Sequence, residues 1–177
     1  RITTLLKVMG GGIVCGISFG FVMSLVSNGF VIGVRWLTTF RESNLLQTFT
    51  IGGLPFSLGP LISLLLAASL LLVVRRIFHI TRWHGPADSI YAAHRTDNEL
   101  DVRAGFGSTL AAFISASGGA SVGQYGPLVH FGATMGSFLR QMTGGVLTTD
   151  VFIGCGVAGA IAAGFNAPMA GLIFAHE

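Results

Sequence analysis

Residues 118–131 carry the feature of this chain that could bind an ion, because four glycines and a proline interrupt a long uncharged stretch there. A helix that begins at Pro127 inside an apolar layer would leave its first backbone N–H groups without intrahelical acceptors. It would also present the positive end of its dipole, and both features favour a bound anion. The candidate anion-binding residues of this segment are Gly123, Gln124, Tyr125, Gly126, Pro127 and Leu128.

A second helix N-terminus is predicted around residues 83–88. Pro86 suits the first position of a helix, and Asp88 would then lie in the first turn, where negative charge is favourable. If both N-termini point at one place, two partial positive charges converge without a buried lysine or arginine, as in the discontinuous helices of transporters. His84 and Gly85 are therefore further candidate anion ligands. The simpler alternative is an ordinary capped helix at a membrane interface.

The composition indicates a membrane protein. Apolar residues make up 51% of the chain and charged residues 10%, against roughly a quarter charged in soluble domains. Asp, Glu, Lys and Arg are absent from residues 8–34, 43–74, 104–139 and 151–176. Each of these runs exceeds the roughly 20 residues that a spanning helix needs. The fold class predicted is all-α, with several passes through the bilayer.

Proline and glycine divide these runs into elements. A span is predicted from Pro60 to Ile77, and residues 43–59 are predicted to form a loop or a short re-entrant piece. The polar residues 79–103 are expected at the water interface. In the last run, Asn166 and Pro168 predict a broken helix whose freed backbone groups need other partners.

Small residues predict where helices pack closely. A four-residue step places several of them on one face of the first run, which favours close helix association in lipid. These residues are Gly12, Gly16, Gly20, Ser24 and Asn28. Cys15 and Cys155 lie in apolar runs and are expected to be small core residues.

The net charge of +3 indicates orientation better than it indicates partners. Arginines 75, 76 and 82 crowd one junction, and the positive-inside rule makes that side cytoplasmic. Arg35 and Arg41 fall on the opposite side and give a weaker contrary signal. Because the arginines flank apolar spans and form no exposed stripe, the pattern excludes a nucleic-acid partner.

Two motifs in order resemble the CLC family of voltage-gated chloride channels and chloride/proton antiporters. Residues 163–177 are similar to that family's A-x-F-N-A-P-L-A-G-x-x-F-x-x-E signature. Residues 123–127 lie at the matching distance upstream and resemble its G-x-E-G-P motif. The resemblance implies that residues 1–177 are the N-terminal half of a CLC-type transmembrane domain, the first of two inverted repeats.

The same resemblance implies the partners of the protein. The second repeat would supply further helix N-termini, a tyrosine at the inner mouth of the pore and most of the dimer interface. We therefore expect the chain to be a fragment of a homodimeric, multi-pass protein of the plasma (inner) membrane that carries chloride or a similar small anion. No cofactor or metal is implied.

Three positions differ from the family pattern. The family's gating glutamate falls on Tyr125, and a tyrosine is neutral at physiological pH because its ordinary pKa lies near 10. Gln124 replaces an arginine that is common beside the gate. Around His84 and Gly85 only the glycine and proline of the family's G-S-G-I-P loop are matched, so no serine hydroxyl is evident there. Tyr125 is the gate position and would not exchange protons readily.

Three functions remain open at this stage. The favoured one is passive, channel-like chloride conduction. An antiporter would need another proton carrier, for which His130 is one candidate, although His130 could equally be a packed and satisfied core residue. A non-conducting structural or sensory subunit is the third. Motifs of zinc proteases, nucleotide-binding loops and serine hydrolases are absent from the sequence, so an enzyme is not predicted.

Overall fold

The computed structural model describes residues 2–45, 48–51, 54–95, 100–123, 125–143 and 147–176. These residues form seven α-helices and one two-stranded antiparallel hairpin, so the predicted all-α class is confirmed with a small addition. In chain order the elements are α1 (Ile2–Leu45), β1 (Thr48–Ile51), β2 (Leu54–Ser57), α2 (Gly59–Phe78), α3 (Pro86–His94), α4 (Val102–Ser117), α5 (Tyr125–Thr143), α6 (Thr149–Phe165) and α7 (Pro168–His176).

Two of the described helices are long and apolar enough to cross a membrane, namely Met9–Ser43 within α1 and Gly59–Phe78. The third and fourth uncharged runs are divided at the internal breaks that the sequence predicts, so neither forms one continuous spanning helix. Each of these runs contains two shorter helices. Large apolar side chains such as Ile17, Phe21 and Leu65 are exposed on α1 and α2, as expected of surfaces that face lipid.

The helix boundaries follow from local sequence signals. Pro60 lies in the first turn of α2, which ends where His79 adopts the left-handed conformation. Asn166 ends α6 in the same left-handed way, and the Ala167 N–H donates to Ala162 O at 3.2 Å. Pro168 then opens α7. The predicted α2 span and the predicted break at Asn166 are both confirmed.

The hairpin corrects the prediction of a loop or re-entrant piece over residues 43–59. Thr48 pairs with Ser57 and Ile51 pairs with Leu54, and residues 52 and 53 lie outside the described residues. Gly-Gly between two apolar runs is a hairpin signal, because both residues tolerate the positive φ that tight two-residue turns require. The sequence reading took the same glycines as breaks in a helix.

The tightest helix contact joins α5 to α6. A Cβ on Gly132 would overlap the carbonyl oxygen of Gly156, and a Cβ on Gly156 would overlap that of Gly132. One turn further on, a Cβ on Gly136 would overlap the carbonyl oxygen of Phe152. The two backbones approach this closely only because these positions lack side chains. Around this contact the core contains Val129, Ala133, Ile153 and Val157.

The predicted packing face of α1 is not the face that packs in this chain. Gly12, Gly16 and Gly20 have no heavy atom within 4 Å of an added Cβ, and Ser24 and Asn28 are exposed. The buried face is instead formed by larger residues, namely Phe19, Met23, Ser27 and Phe30. Phe19 packs edge-to-face on Phe152 of α6, with ring centroids 6.3 Å apart. Burial of aromatic area thus selects the contact between α1 and α6.

The two cysteines meet across the contact between α1 and α6. The half-buried side chains of Cys15 and Cys155 interact with each other, whereas the sequence predicted two separate core residues. We expect copper phenanthroline to oxidise both thiols to an intrachain disulfide, since thiols this close need little backbone movement to bond. Mass spectrometry of the digested protein would detect the linked peptides, and dithiothreitol would reverse the link. The Cys155→Ser variant is the control, and a wild-type protein without the linked peptides would contradict this contact.

Candidate anion site

A cavity of about 290 Å³ lies where α3, α4 and α5 meet. It is large enough for a small ion together with water. No Asp, Glu, Lys or Arg is among its lining residues. They are Leu71, Trp83, His84, Gly85, Pro86, Ser108, Thr109, Ala111, Ala112, Ser115, Val122, Pro127 and His130.

The N-terminus of α3 forms one side of the cavity. Gly85 is the N-cap residue in an extended conformation, and Pro86 is the first helical residue, as the sequence predicts. The N–H of Gly85 donates to Asp88 Oδ2 at 2.8 Å, and the N–H of His84 donates to Ser108 Oγ at 2.9 Å. Both of these backbone donors are therefore used inside the protein.

Asp88 places a negative charge beside this end of α3. Partial burial raises the pKa of its carboxyl group, but the hydrogen bond from the Gly85 N–H and the Arg82 guanidinium outweigh burial and hold the pKa below its ordinary value. Arg82 forms an ion pair with Asp88 and is largely exposed. The carboxylate is thus ionised at neutral pH and offsets part of the helix dipole.

The N-terminus of α5 forms the opposite side. The helix begins at Tyr125, two residues before the predicted start. An added Cβ on Gly126 would lie 3.5 Å from Pro86 Cγ, so the first turns of α3 and α5 are in contact. By helix geometry the N–H groups of Tyr125 and Gly126 have no acceptor within α5, whereas Leu128 is the fourth residue of the helix, where intrahelical bonding begins. The predicted convergence of the two N-termini is therefore observed.

Two histidines bring ring nitrogens to the cavity. His130 is 1% exposed, and its ring centroid lies 6.0 Å from that of His84. Ser89 Oγ and His130 Nδ1 are hydrogen-bonded at 2.7 Å. His130 Nε2 and His84 Nδ1 are buried and have no hydrogen-bond partner among the described residues. The cavity thus contains two unpaired polar atoms, a costly arrangement unless something binds them.

Helix α4 supplies hydroxyl groups that the sequence reading missed. Ser108, Thr109 and Ser115 line the cavity, and Ser108 and Ser115 are seven residues apart on one helical face. Thr109 Oγ1 donates to the carbonyl of Gly105 at 3.0 Å, which satisfies its hydrogen. The available signal was a pair of small hydroxyl residues at i and i+7 in a helix of small side chains.

Tyr125 packs against the end of α6 and is not among the residues that line the cavity. Its ring lies over Phe165, with centroids 4.5 Å apart and an interplanar angle of 31°. An added Cβ on Gly164 would lie 3.1 Å from Tyr125 Cδ1, so the ring also packs closely against the backbone of α6. The predicted gate residue is therefore held by the end of α6, which belongs to the motif of residues 163–177.

The structure brings half of the eight predicted site residues together. His84, Gly85 and Pro127 line the cavity, and Gly126 lies directly behind it against Pro86. The remaining predicted residues are placed differently. Gly123 is exposed with nothing within 4 Å of an added Cβ, Leu128 is 1% exposed in the core, and Gln124 lies outside the described residues.

Apolar spans and a cavity between two helix N-termini are characteristic of a multi-pass helical membrane protein. A family model described as voltage gated chloride channel matches residues 65–177. The chain belongs to the voltage-gated chloride channel family, which confirms the resemblance that its motifs indicated.

Individual relatives carry the same description. The chain is 29% identical over 170 residues to the voltage-gated ClC-type chloride channel ClcB of Yersinia pseudotuberculosis, covering 93% of this chain and 41% of the relative. It is 32% identical over 112 residues to ClcB of Escherichia coli O139:H28, covering 63% of this chain and 27% of the relative. The chain therefore matches less than half the length of these curated relatives. The comparison with solved structures finds no significant match.

Proposed function

We propose that residues 1–177 form the first repeat of an anion-conducting pore that carries chloride or a similar small anion across the plasma (inner) membrane. In this proposal a second repeat completes the pore, and the full-length protein is a homodimer. The observation that carries it is the convergence of the α3 and α5 N-termini on a cavity with two unpaired histidine nitrogens. Such a site attracts an anion without a full positive charge, so the ion is held weakly enough to leave.

The donors available to the anion are not those expected from the sequence alone. The backbone N–H groups of His84 and Gly85 already have acceptors, so the His84 ring is the more suitable ligand on that side. On the α5 side, the amides of Tyr125 and Gly126 remain directed out of the first turn. The anion would therefore lie nearer to α5 than to α3.

The tyrosine at the gate position favours passive conduction. Tyr125 has no carboxylate, so it cannot compete with the anion as a tethered glutamate would. Its contact with Phe165 places a bulky ring next to the start of α5 and gives a steric gate. Opening would require the ring to leave Phe165, at a cost on the order of 1 kcal/mol for the aromatic contact.

Proton-coupled antiport is the second candidate because His130 is a buried titratable residue at the cavity. Joint recording of both ions separates the candidates. The full-length protein would be reconstituted in liposomes with a chloride gradient and a potassium ionophore, and chloride efflux and external pH would be measured together. We expect chloride efflux without proton movement. Proton uptake at a fixed ratio to chloride would establish antiport, and the absence of both fluxes would indicate a structural or sensory subunit.

The Asp88→Asn substitution should strengthen anion binding. The asparagine side-chain oxygen can still accept from the Gly85 N–H, while the negative charge beside the cavity is lost. We expect the chloride concentration for half-maximal flux to fall about two- to fivefold, the range for one charge at a helix terminus. Because the pKa of Asp88 is held below its ordinary value of 3.8, the difference from wild type should persist from pH 8 down to about pH 5.

A matched control exists in α6. Asp150 is an exposed carboxylate in the first turn of that helix and is not among the residues that line the cavity. Asp150→Asn should leave the half-saturating concentration of chloride unchanged. Equal effects of the two substitutions would mean that general surface charge, and not the α3 N-terminus, sets anion affinity.

A further inference from the structure

The most deeply buried polar side chain at the cavity belongs to His130. It is 1% exposed and lies in the second turn of α5, so a polar ring occupies a position that packing alone would give to an apolar residue. Its Nε2 atom is buried without a hydrogen-bond partner among the described residues, although the ring lines the cavity. A buried imidazole nitrogen of this kind requires a ligand or water.

We propose that His130 Nε2–H is the side-chain donor that holds the anion, and that Ser89 is its positioning residue. The inference rests on the anion pore proposed above and names the ligand within that site. In this proposal the Ser89 hydroxyl, which lies 2.7 Å from Nδ1, donates to that atom and leaves the proton of the neutral ring on Nε2. Ser89 is 2% exposed and belongs to α3, so one helix orients a ring that belongs to the other.

The surroundings of His130 suit an anion better than a cation. The His84 ring faces it from the segment before α3, and the Asp88 carboxylate on α3 is occupied by the Gly85 N–H and Arg82. From α4 the cavity receives hydroxyl groups and small side chains, without a carboxylate. The described residues contain no group of three potential metal ligands. The α5 N-terminus adds a positive partial charge, which would repel a metal ion.

The size of the cavity indicates which anions can reach this donor. About 290 Å³ accommodates a halide or a small oxyanion with accompanying water. Most of the lining is apolar, so a ligand must give up much of its hydration for few hydrogen bonds. The site is therefore expected to take monovalent anions, with His84 Nδ1 as a second donor on the opposite wall.

Two substitutions of His130 and a surface control test the proposal in the purified full-length protein. Chloride affinity would be measured by calorimetry, and half-saturating and maximal flux would be measured in liposomes. His130→Leu should weaken chloride binding at least about tenfold, the effect of losing a hydrogen bond to a charged group. His130→Gln should stay within about threefold of wild type, because its amide nitrogen can donate from near the Nε2 position. The surface control is His94→Gln, since the His94 ring bonds to the Ile90 carbonyl within α3.

The role of Ser89 is tested by measuring chloride affinity and unfolding temperature separately. Ser89→Ala should weaken chloride affinity about fivefold through loss of one hydrogen bond, and Ser89→Thr should restore it because the hydroxyl returns. A purely structural role would lower the unfolding temperature of both variants without this restoration. Equal chloride affinities in wild type and in a folded His130→Leu variant would overturn the proposal.

A wild-type measurement avoids the risk that a buried substitution prevents folding. In crystals grown with bromide, the anomalous signal should place the ion within hydrogen-bond distance of His130 Nε2. Bromide found only elsewhere in the protein would overturn the inference. Chloride binding at His130 without ion flux would contradict the proposed pore function but support His130 as an anion ligand. Ion flux with unaltered chloride affinity in His130→Leu would support the pore function but contradict His130 as the anion ligand.

Discussion

Gly156→Ala is expected to destabilise the protein by about 3 kcal/mol, the upper range for overpacking a tight contact. The added methyl group would overlap the Gly132 carbonyl oxygen, which belongs to the backbone of a packed helix and cannot rotate away. Helix α5 would have to move away from α6, and that displacement would loosen the surrounding core of Val129, Ala133 and Ile153. The thermal unfolding midpoint of the purified protein in detergent would measure the loss.

Helix α6 contains its own control for this effect. Gly154 lies two residues earlier, and an added Cβ there meets only the carbonyl oxygen of Ala175 at 3.7 Å, an ordinary contact. Since alanine is favoured over glycine within a helix by up to about 1 kcal/mol, Gly154→Ala should be neutral or stabilising. If Gly156→Ala were equally stable, the close approach of α5 and α6 would be wrong.

Tyr125→Glu is expected to make anion flux strongly dependent on pH. A glutamate at the first position of α5 would be a carboxylate at neutral pH, attracted to the same N–H groups as the anion. Acidification would protonate the carboxylate and release these groups, so flux should be low near pH 8 and rise as the pH falls. A change on the order of tenfold is expected, which corresponds to about 1.4 kcal/mol of competition.

Two other substitutions at this position separate charge from size. Tyr125→Gln has nearly the shape of the glutamate without its charge, and its flux should not depend on pH. Tyr125→Phe keeps the ring over Phe165 and should resemble wild type. Flux that is pH-independent in Tyr125→Glu would contradict the assignment of Tyr125 to the family's gate position.

The sequence was sufficient where a local signal determines structure. Pro60, Pro86 and Pro168 each mark the start of a helix, because proline fixes its own φ at a helical value. Asn166 marks a helix end, because asparagine tolerates the left-handed backbone conformation. The convergence of α3 with α5 was also anticipated, since two N-termini in an apolar layer need a common polar partner. Two motifs sufficed to identify the family.

Pairwise contacts between distant segments could not be predicted in the same way. The hydroxyl groups of Ser89 and Ser108 reach the cavity only because α3 and α4 pack beside α5, and no local pattern fixes those crossings. The stripe of small residues on α1 was misleading, because a period of four marks a possible packing face and does not name its partner. Capping by Asp88 was foreseen, but its use of the Gly85 donor depends on side-chain geometry.

The length of α1 connects the site to the bilayer itself. Its uncharged residues 9–34 extend for about 39 Å at about 1.5 Å per residue, whereas the hydrocarbon layer is about 30 Å thick. The helix can keep its apolar surface in hydrocarbon only by inclining steeply, and a thinner bilayer demands a greater inclination. Because Phe19 of α1 rests on α6, and the last residue of α6 supports the Tyr125 ring, a change of inclination reaches the gate through two direct contacts. For the proposed pore, we therefore expect the acyl-chain length of the host lipids to change how readily it opens.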